Sequence, residues 1–147
     1  MTSTEQQLAA LQFHHVGVLV EDIERSAKVY MERFGYELRS DIIHDPLQTA
    51  YVQFLSFPGE RVFLEFVSPD GPQSALSLAL KKGGGLNHIC YSTSDIEQTC
   101  LQLRTTGLFL IRPPTPAVAF NGRKIAWFMD KSGVLFELVA RGPENEL

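Results

Sequence analysis

The chain has 147 residues, of which 44% are hydrophobic and 20% charged, a balance that is typical of one globular domain and excludes a disordered segment. Its net charge is −4, so the composition predicts no basic surface for nucleic acid or for an anionic membrane. No apolar run reaches the roughly 18 residues that a membrane-spanning helix needs, and the polar start of the chain lacks the pattern of a secretory signal peptide. The two cysteines form no CxxC motif and no disulfide framework, so we expect a cytoplasmic protein with reduced thiols.

The first half of the chain has the pattern of a strand, a helix and further strands. An apolar strand is predicted at residues 13–20, and Asp22 after it is a favoured helix N-cap residue. Apolar residues then recur at helical spacing up to Gly35, which is a natural helix stop. Three runs rich in β-forming residues follow, divided by turn signals such as Pro58-Gly59, at residues 36–44, 48–57 and 61–68.

A linker is predicted at residues 69–85. Its middle carries closely spaced alanines and leucines that indicate a short helix, and its end is the triple glycine of residues 83–85. The spacing of these glycines does not match a phosphate-binding loop. We therefore interpret them as a helix stop or a hinge.

The second half repeats the pattern of the first. A strand is predicted at residues 86–93, Asp95 is the next helix N-cap residue, and Gly107 is the expected helix stop. A turn is expected around Ser132-Gly133. The predicted strands of this half lie at residues 108–111, 124–129 and 134–140.

The two halves align with each other over their first and last strands. Residues 15–24 (HVGVLVEDIE) align with 88–97 (HICYSTSDIE), and 62–67 (VFLEFV) align with 134–139 (VLFELV). The two histidines are 73 residues apart and the two glutamates 72 apart, so both halves keep nearly the same internal spacing. Two matches in the same order at nearly one offset indicate a duplicated module.

We therefore predict an α+β fold of paired βαβββ modules. The predicted organisation is one domain at residues 13–140, with short tails at 1–12 and 141–147. Within that domain, module 1 covers about 13–68, the linker 69–85, and module 2 about 86–140.

Strand alternation makes four residues candidates for a metal site. His15 and His88 hold equivalent places on the first strand of each module, and Glu65 and Glu137 on the last. Both glutamates lie in strands that are apolar on both faces, where an ionised carboxylate is costly unless it is paired or bound to a metal. Two imidazoles and two carboxylates suit Zn, Ni, Co, Mn or Fe(II), and the set does not choose among them.

Other chemistry-bearing residues lack the support of the repeat. A single histidine on a strand is more often a core residue than a ligand, so we interpret His14 and His44 as structural or surface groups. Cys90 shares a face with His88, so it either lines the cavity or is a buried, inert thiol. Arg123 and Lys124 either bind a carboxylate or phosphate of a substrate or are solvated surface charges.

These residues give the sequence a resemblance to the vicinal oxygen chelate superfamily, which includes glyoxalase I, methylmalonyl-CoA epimerase, extradiol dioxygenases and bleomycin-resistance proteins. The resemblance covers about residues 13–139. Its motifs are HVG at 15–17, DIE at 22–24, LEF at 64–66, GLNHIC at 85–90 and GVLFEL at 133–138. It implies a mixed sheet that curls around a metal cavity, with ligands at His15, Glu65, His88 and Glu137.

Within the superfamily the chain looks most like the methylmalonyl-CoA epimerase branch, on the stretches 82–91 (KGGGLNHICY) and 121–126 (NGRKIA). Similar-sized bacterial glyoxalases carry an Arg and an Asn for glutathione where this chain has Leu19 and Pro69. Some epimerases of this kind use a second carboxylate on the third strand as a proton-transfer partner, and the residue near that position here is Gln53, which cannot accept a proton.

The resemblance implies metal-assisted proton transfer beside a carbonyl, on an acyl thioester or a 2-oxo or dicarbonyl substrate. Glu137 is then the expected base and Gln53 the residue that orients substrate or water. The alternatives are a glyoxalase-type lyase, a non-enzymatic protein that binds an antibiotic, and an Fe(II) dioxygenase. We expect a small-molecule substrate and a homodimer.

Overall fold

The structure is a computed structural model that describes residues 11–143 and 146–147. These residues form nine strands, three α-helices and one short 3-10 helix. In chain order they are β1 (Gln12–Leu19), α1 (Ile23–Phe34), β2 (Glu37–Leu38), β3 (Ile43–Asp45), β4 (Ala50–Ser56), β5 (Phe63–Pro69), α2 (Ser77–Lys81), β6 (Gly85–Thr93), α3 (Ile96–Arg104), β7 (Phe109–Pro116), the 3-10 helix (Val118–Phe120), β8 (Lys124–Met129) and β9 (Leu135–Ala140).

The chain divides into two compact units. The first unit consists of residues 15–87, and the second unit consists of 88–147 together with the described residues before His15. None of the helices in the described ranges is long and apolar enough to cross a membrane. The predicted N-terminal tail lies outside the described residues except for its last two positions, of which Gln12 begins β1.

In the first unit a mixed sheet carries one helix on its face. The strands lie in the order β2-β4-β5-β1, with β3 paired to β4. β1 and β5 run parallel, and β4 is antiparallel to its three neighbours. The core between α1 and the sheet consists of Ile23, Ala27, Leu55 and Phe66.

Both predicted ends of α1 are confirmed. The Asp22 carboxylate accepts a hydrogen bond from the Arg25 amide at 3.1 Å, which satisfies one of the unpaired amides of the first turn. Gly35 ends the helix in the left-handed region at φ 84°, and its amide donates to the Met31 carbonyl. After α1, the run predicted at residues 36–44 is divided into β2 and β3.

The predicted linker contains the short helix α2, and the glycines after it are required by the backbone. All three glycines of residues 83–85 have positive φ, at 122°, 64° and 88°. A Cβ atom on Gly84 would lie 2.7 Å from the Leu19 carbonyl oxygen, so a side chain there would displace the end of β1. The triple glycine therefore ends α2 and lets the chain pass close to β1.

The second unit has a mixed sheet in the order β6-β9-β8-β7, with β6 parallel to β9 and the other pairs antiparallel. Asp95 caps α3 through the Gln98 amide at 3.1 Å, as Asp22 caps α1. The core beneath α3 consists of Ile96, Cys100, Ala126, Phe128 and Leu138. The predicted class, α+β with paired βαβββ modules, is confirmed.

Two boundaries in the second unit differ from the prediction. α3 ends at Arg104, before Gly107, because the hydroxyls of Thr105 and Thr106 donate to the carbonyls of the last turn. β7 extends to Pro116 although three of its last four residues are prolines. Proline is tolerated there because β7 lies at a sheet edge and pairs with β8 through irregular register.

The two cysteines are free and buried, which predicts slow reaction with thiol reagents. Burial raises the pKa of the Cys100 thiol to about 11, and the nearby Glu97 carboxylate adds to this effect. At pH 8 the native protein should therefore release almost no chromophore from a disulfide reagent, whereas the denatured chain should titrate two thiols. Rapid native reaction of a thiol that is lost in Cys100→Ala would contradict this expectation.

Candidate metal centre

The first unit brings His15 and Glu65 together through strand register. Gly17 is the partner of Glu65 across the parallel β1–β5 pair, and His15 lies two residues before Gly17 on the same face. His15 Nε2 is 3.3 Å from Glu65 Oε1, and the residues are 0% and 5% exposed. The two side chains form a buried pair on the sheet face opposite α1.

The second unit builds the same arrangement. Cys90 is the partner of Glu137 across the parallel β6–β9 pair, and His88 lies two residues before Cys90. His88 Nε2 is 3.5 Å from Glu137 Oε1, and both residues are buried. The register of each His–Glu pair is therefore identical in the two units, as the sequence repeat predicts.

An aromatic ring supports the histidine in each unit. Phe54 is the antiparallel partner of Glu65 on β4, and its ring meets the His15 ring edge to face at a centroid distance of 5.3 Å. Trp127 on β8 lies opposite Glu137 and meets the His88 ring in the same way at 4.8 Å. These rings restrict the orientation of each imidazole and exclude water from one side of it.

Sequence reasoning missed these two aromatic residues. The repeat could have identified them, because in both halves an aromatic residue precedes the glutamate by ten or eleven positions, across a hairpin. A single aromatic residue in an apolar strand is more often part of the core, so the signal emerges only when both halves are compared.

The donors of both pairs fit a divalent metal ion. Each unit offers an imidazole nitrogen and a carboxylate oxygen from buried side chains. An ionised carboxylate in a buried site of low dielectric is costly unless it is paired or bound to a metal. A dication removes this cost, and mixed nitrogen and oxygen ligands suit Zn, Ni, Co, Mn and Fe(II).

Gln53 lies on the opposite face of the sheet from Glu65. Its partner on β5 is Phe66, a core residue beneath α1, whereas Glu65 pairs with the next residue, Phe54. Its side-chain amide donates to the Ser40 carbonyl at 3.0 Å. The structure therefore does not bring Gln53 to the His15–Glu65 pair, because side chains one residue apart on a strand point in opposite directions.

The predicted anion-binding residues have partners within the second unit. The Arg123 guanidinium donates to the Ala140 and Leu147 carbonyls and lies over the Phe120 ring, and desolvation lowers its pKa. The Lys124 ammonium donates to the Glu97 carboxylate at 2.8 Å, and this hydrogen bond lowers the pKa of Glu97.

The remaining candidates are buried or paired. Cys90 is 0% exposed, and its thiol makes a long contact of 3.7 Å to the Tyr91 carbonyl. His14 is buried against the Phe120 ring. His44 Nε2 lies 3.0 Å from an Asp70 carboxylate oxygen, at the surface.

Comparison with known proteins places these features in a family. The chain is 31% identical to a lactoylglutathione lyase of Arabidopsis thaliana over 92% of its own length and 46% of that protein's. It is 28% identical to an ethylmalonyl-CoA/methylmalonyl-CoA epimerase of Cereibacter sphaeroides, over 86% of this chain and 96% of the relative. The chain thus spans about half the length of the plant enzyme and nearly all of the bacterial one.

The fold agrees with the sequence comparison. A solved methylmalonyl-CoA epimerase from Mycobacterium tuberculosis superposes with a TM-score of 0.76 at 25% identity, covering 90% of this chain and 89% of that one. These relatives are enzymes named as lyases or epimerases, in agreement with the predicted enzyme type. A sequence model of the superfamily matches residues 14–127. The chain belongs to the glyoxalase/bleomycin resistance protein/dioxygenase superfamily.

Proposed function

We propose that His15, Glu65, His88 and Glu137 hold one divalent metal ion, and that the protein is a metal-dependent isomerase or epimerase. The observation that carries the proposal is the buried His–Glu pair that each unit builds with the same strand register. Neither pair alone supplies the four ligands of a stable protein metal site, and two such pairs do. The ion is Zn, Ni, Co, Mn or Fe(II), since the donors do not discriminate among these.

The proposed reaction is proton transfer at a carbon next to a carbonyl group. When bound, the ion supplies Lewis acidity that favours the enolate form of the substrate. Glu137 would remove the proton through its carboxylate. Return of the proton to the same face gives exchange alone, whereas delivery to the opposite face by a second donor, such as water, gives the epimer. His88 lies 3.5 Å from the Glu137 carboxylate, and the Trp127 ring packs against His88, so both restrict the access of water to the pair. The placement of Gln53 on the α1 face does not support the expected role of Gln53 in orienting substrate or water.

The substrate class that we favour is an acyl thioester. The bacterial relative, which the chain spans almost completely, is named for ethylmalonyl-CoA and methylmalonyl-CoA. Leu19, which stands where a glutathione-binding arginine is expected in glyoxalases of similar size, is apolar and buried. A 2-oxo or dicarbonyl compound also has an acidic C–H group beside a carbonyl and is the alternative substrate.

Deuterium exchange tests the proposed reaction. In heavy water the metal-loaded protein should exchange the C2 proton of methylmalonyl-CoA, which mass spectrometry detects as a gain of one mass unit. The protein with its metal removed by a chelator is the control and should leave C2 unlabelled. Absence of exchange with every acyl-CoA and 2-oxo acid tested, by a protein that retains its metal, would contradict proton abstraction.

A glyoxalase-type lyase is the second candidate, because the plant lactoylglutathione lyase is 31% identical over 92% of the chain. The two candidates differ in their thiol carrier. Formation of a lactoyl thioester from methylglyoxal and glutathione, without exchange at C2 of an acyl-CoA, would establish the lyase.

We further propose a homodimer in the cytoplasm. The two free, buried cysteines support a reducing compartment. Two-fold dimers are the commonest assemblies of soluble proteins, and modules of this kind can pair between chains as well as within one. Sedimentation velocity of the metal-loaded protein measures the mass, and a species of about one chain at micromolar concentration would contradict the dimer.

A further inference from the structure

Arg39 is held in a fixed orientation beside the first unit's sheet. One guanidinium nitrogen, Nη1, donates to the Ser56 hydroxyl at 3.0 Å and to the Glu60 carbonyl at 3.3 Å. The guanidinium carbon lies 5.3 Å from the centre of the Phe63 ring. Two hydrogen bonds and a cation–π contact restrict a side chain that is otherwise exposed.

A line of aromatic contacts connects Arg39 to the candidate metal centre. The Phe63 ring meets the Phe54 ring edge to face at 6.2 Å, and the Phe54 ring meets the His15 ring at 5.3 Å. Phe63 is also the direct partner of His15 across the β1–β5 pair. Arg39 therefore lies at the rim of the sheet face that carries the His15–Glu65 pair.

The charge of Arg39 has no carboxylate to balance it among residues 11–143 and 146–147. Two other arginines do have a carboxylate nearby: Arg25 lies 3.7 Å from Asp22, and Arg123 lies 3.7 Å from Glu146. Both side-chain hydrogen bonds of Arg39 use Nη1. Among the described residues, the edge formed by Nη2 and Nε is therefore left to bind a ligand. That edge matches two oxygens of a carboxylate or a phosphate.

We propose that Arg39 binds an anionic group on the part of the substrate that extends away from the reacting carbonyl. The proposal rests on the proposed function, because it assumes that the substrate reacts on the face of His15 and Glu65. The anionic group is a phosphate if the thiol carrier is coenzyme A and a carboxylate if the carrier is a peptide thiol. Both anions accept the same two parallel hydrogen bonds.

Calorimetric titration of carriers that do not react tests this role without turnover. The metal-loaded wild type and Arg39→Met are titrated with coenzyme A, with S-methylglutathione and with pantetheine, which has no phosphate. We expect Arg39→Met to bind the anionic carrier about 10- to 100-fold more weakly, since a charged hydrogen-bonding group is lost. Pantetheine binding should stay unchanged. Loss confined to coenzyme A identifies a phosphate, and loss confined to S-methylglutathione identifies a carboxylate.

Two controls separate anion binding from a structural role. Arg33→Met removes an exposed arginine from the last turn of α1 and should leave all three titrations unchanged. Ser56→Ala removes one bond that holds Arg39 but keeps the positive charge, so it should weaken anion binding less than Arg39→Met. Arg39→Lys keeps the charge without the planar edge and should recover only part of the affinity.

Three results would overturn the proposal. The first is that Arg39→Met loses as much affinity for pantetheine as for the anionic carriers. The second is that Arg39→Met binds the anionic carriers as tightly as the wild type does. The third is that the wild type binds neither anionic carrier. The proposed reaction fails separately, in the deuterium-exchange assay. A protein that binds coenzyme A through Arg39 but exchanges no proton would refute the epimerase and retain the anion site. If the wild type and Arg39→Met exchange the proton with the same kinetics, the epimerase is retained and the anion site at Arg39 is refuted.

Discussion

Glu137→Gln should lower kcat for exchange at C2 by about 10²- to 10⁴-fold, the range typical of losing a general base. Glutamine has nearly the same shape and retains a carbonyl oxygen, so packing against His88 and Trp127 should be preserved. It cannot accept a proton from carbon. Stopped-flow measurement of exchange, with metal content determined on the same sample, checks the result.

The matched control for Glu137→Gln is Glu65→Gln, the equivalent change in the first unit. Glu65 is the ligand that our proposal does not use as a base, so its amide variant should retain far more exchange activity per bound metal ion. Equal losses of kcat per metal ion in both variants would show that the two carboxylates act together and would remove the separate role of Glu137.

Glu65→Ala should lose most of the bound metal while the fold is retained. Removal of one of two buried carboxylates leaves three ligands and a smaller negative charge to attract a dication. Elemental analysis after dialysis should fall well below one ion per chain, and circular dichroism should remain close to that of wild type. Undiminished metal content in the folded variant would exclude Glu65 as a ligand.

Trp127 provides an optical measurement for the same experiment. It is the single tryptophan of the chain, and its ring lies 4.8 Å from the His88 ring. Titration of the metal-free wild type with Co²⁺ or Ni²⁺ should therefore quench its fluorescence, and Glu65→Ala should require a much higher metal concentration. At a free metal concentration of 100 times Kd, binding should stabilise the wild-type fold by about 2.7 kcal/mol.

Much of the fold could be predicted because local signals and the repeat agree. Asp22 and Asp95 cap their helices, and strand parity places each histidine on the face of its glutamate. Each of these features depends on residues close in sequence or on a period of two along a strand. The duplication supplied the long-range information, because it showed which strands are equivalent.

The functions of individual polar residues were harder to predict. Gln53 lies one residue before the partner of Glu65, and one residue on a strand moves a side chain to the other face. Arg123 lies in a polar turn that indicates exposure, yet the chain's own carbonyls surround it. Arg39 carries no motif at all, and the role that we propose for it rests on contacts with Ser56, Glu60 and Phe63 that form only in the folded unit.

The parallel pairing of β1 with β5 and of β6 with β9 has a consequence for assembly of the protein in the cell. The histidine and glutamate of the two pairs are separated by 50 and 49 residues, so no single helix or hairpin can bring either pair together. Parallel strands so far apart associate late in folding, after the entropy of closing a long loop has been lost. An ion that binds the proposed ligands would therefore meet dispersed side chains until each unit is complete, and we expect the metal to be acquired after folding.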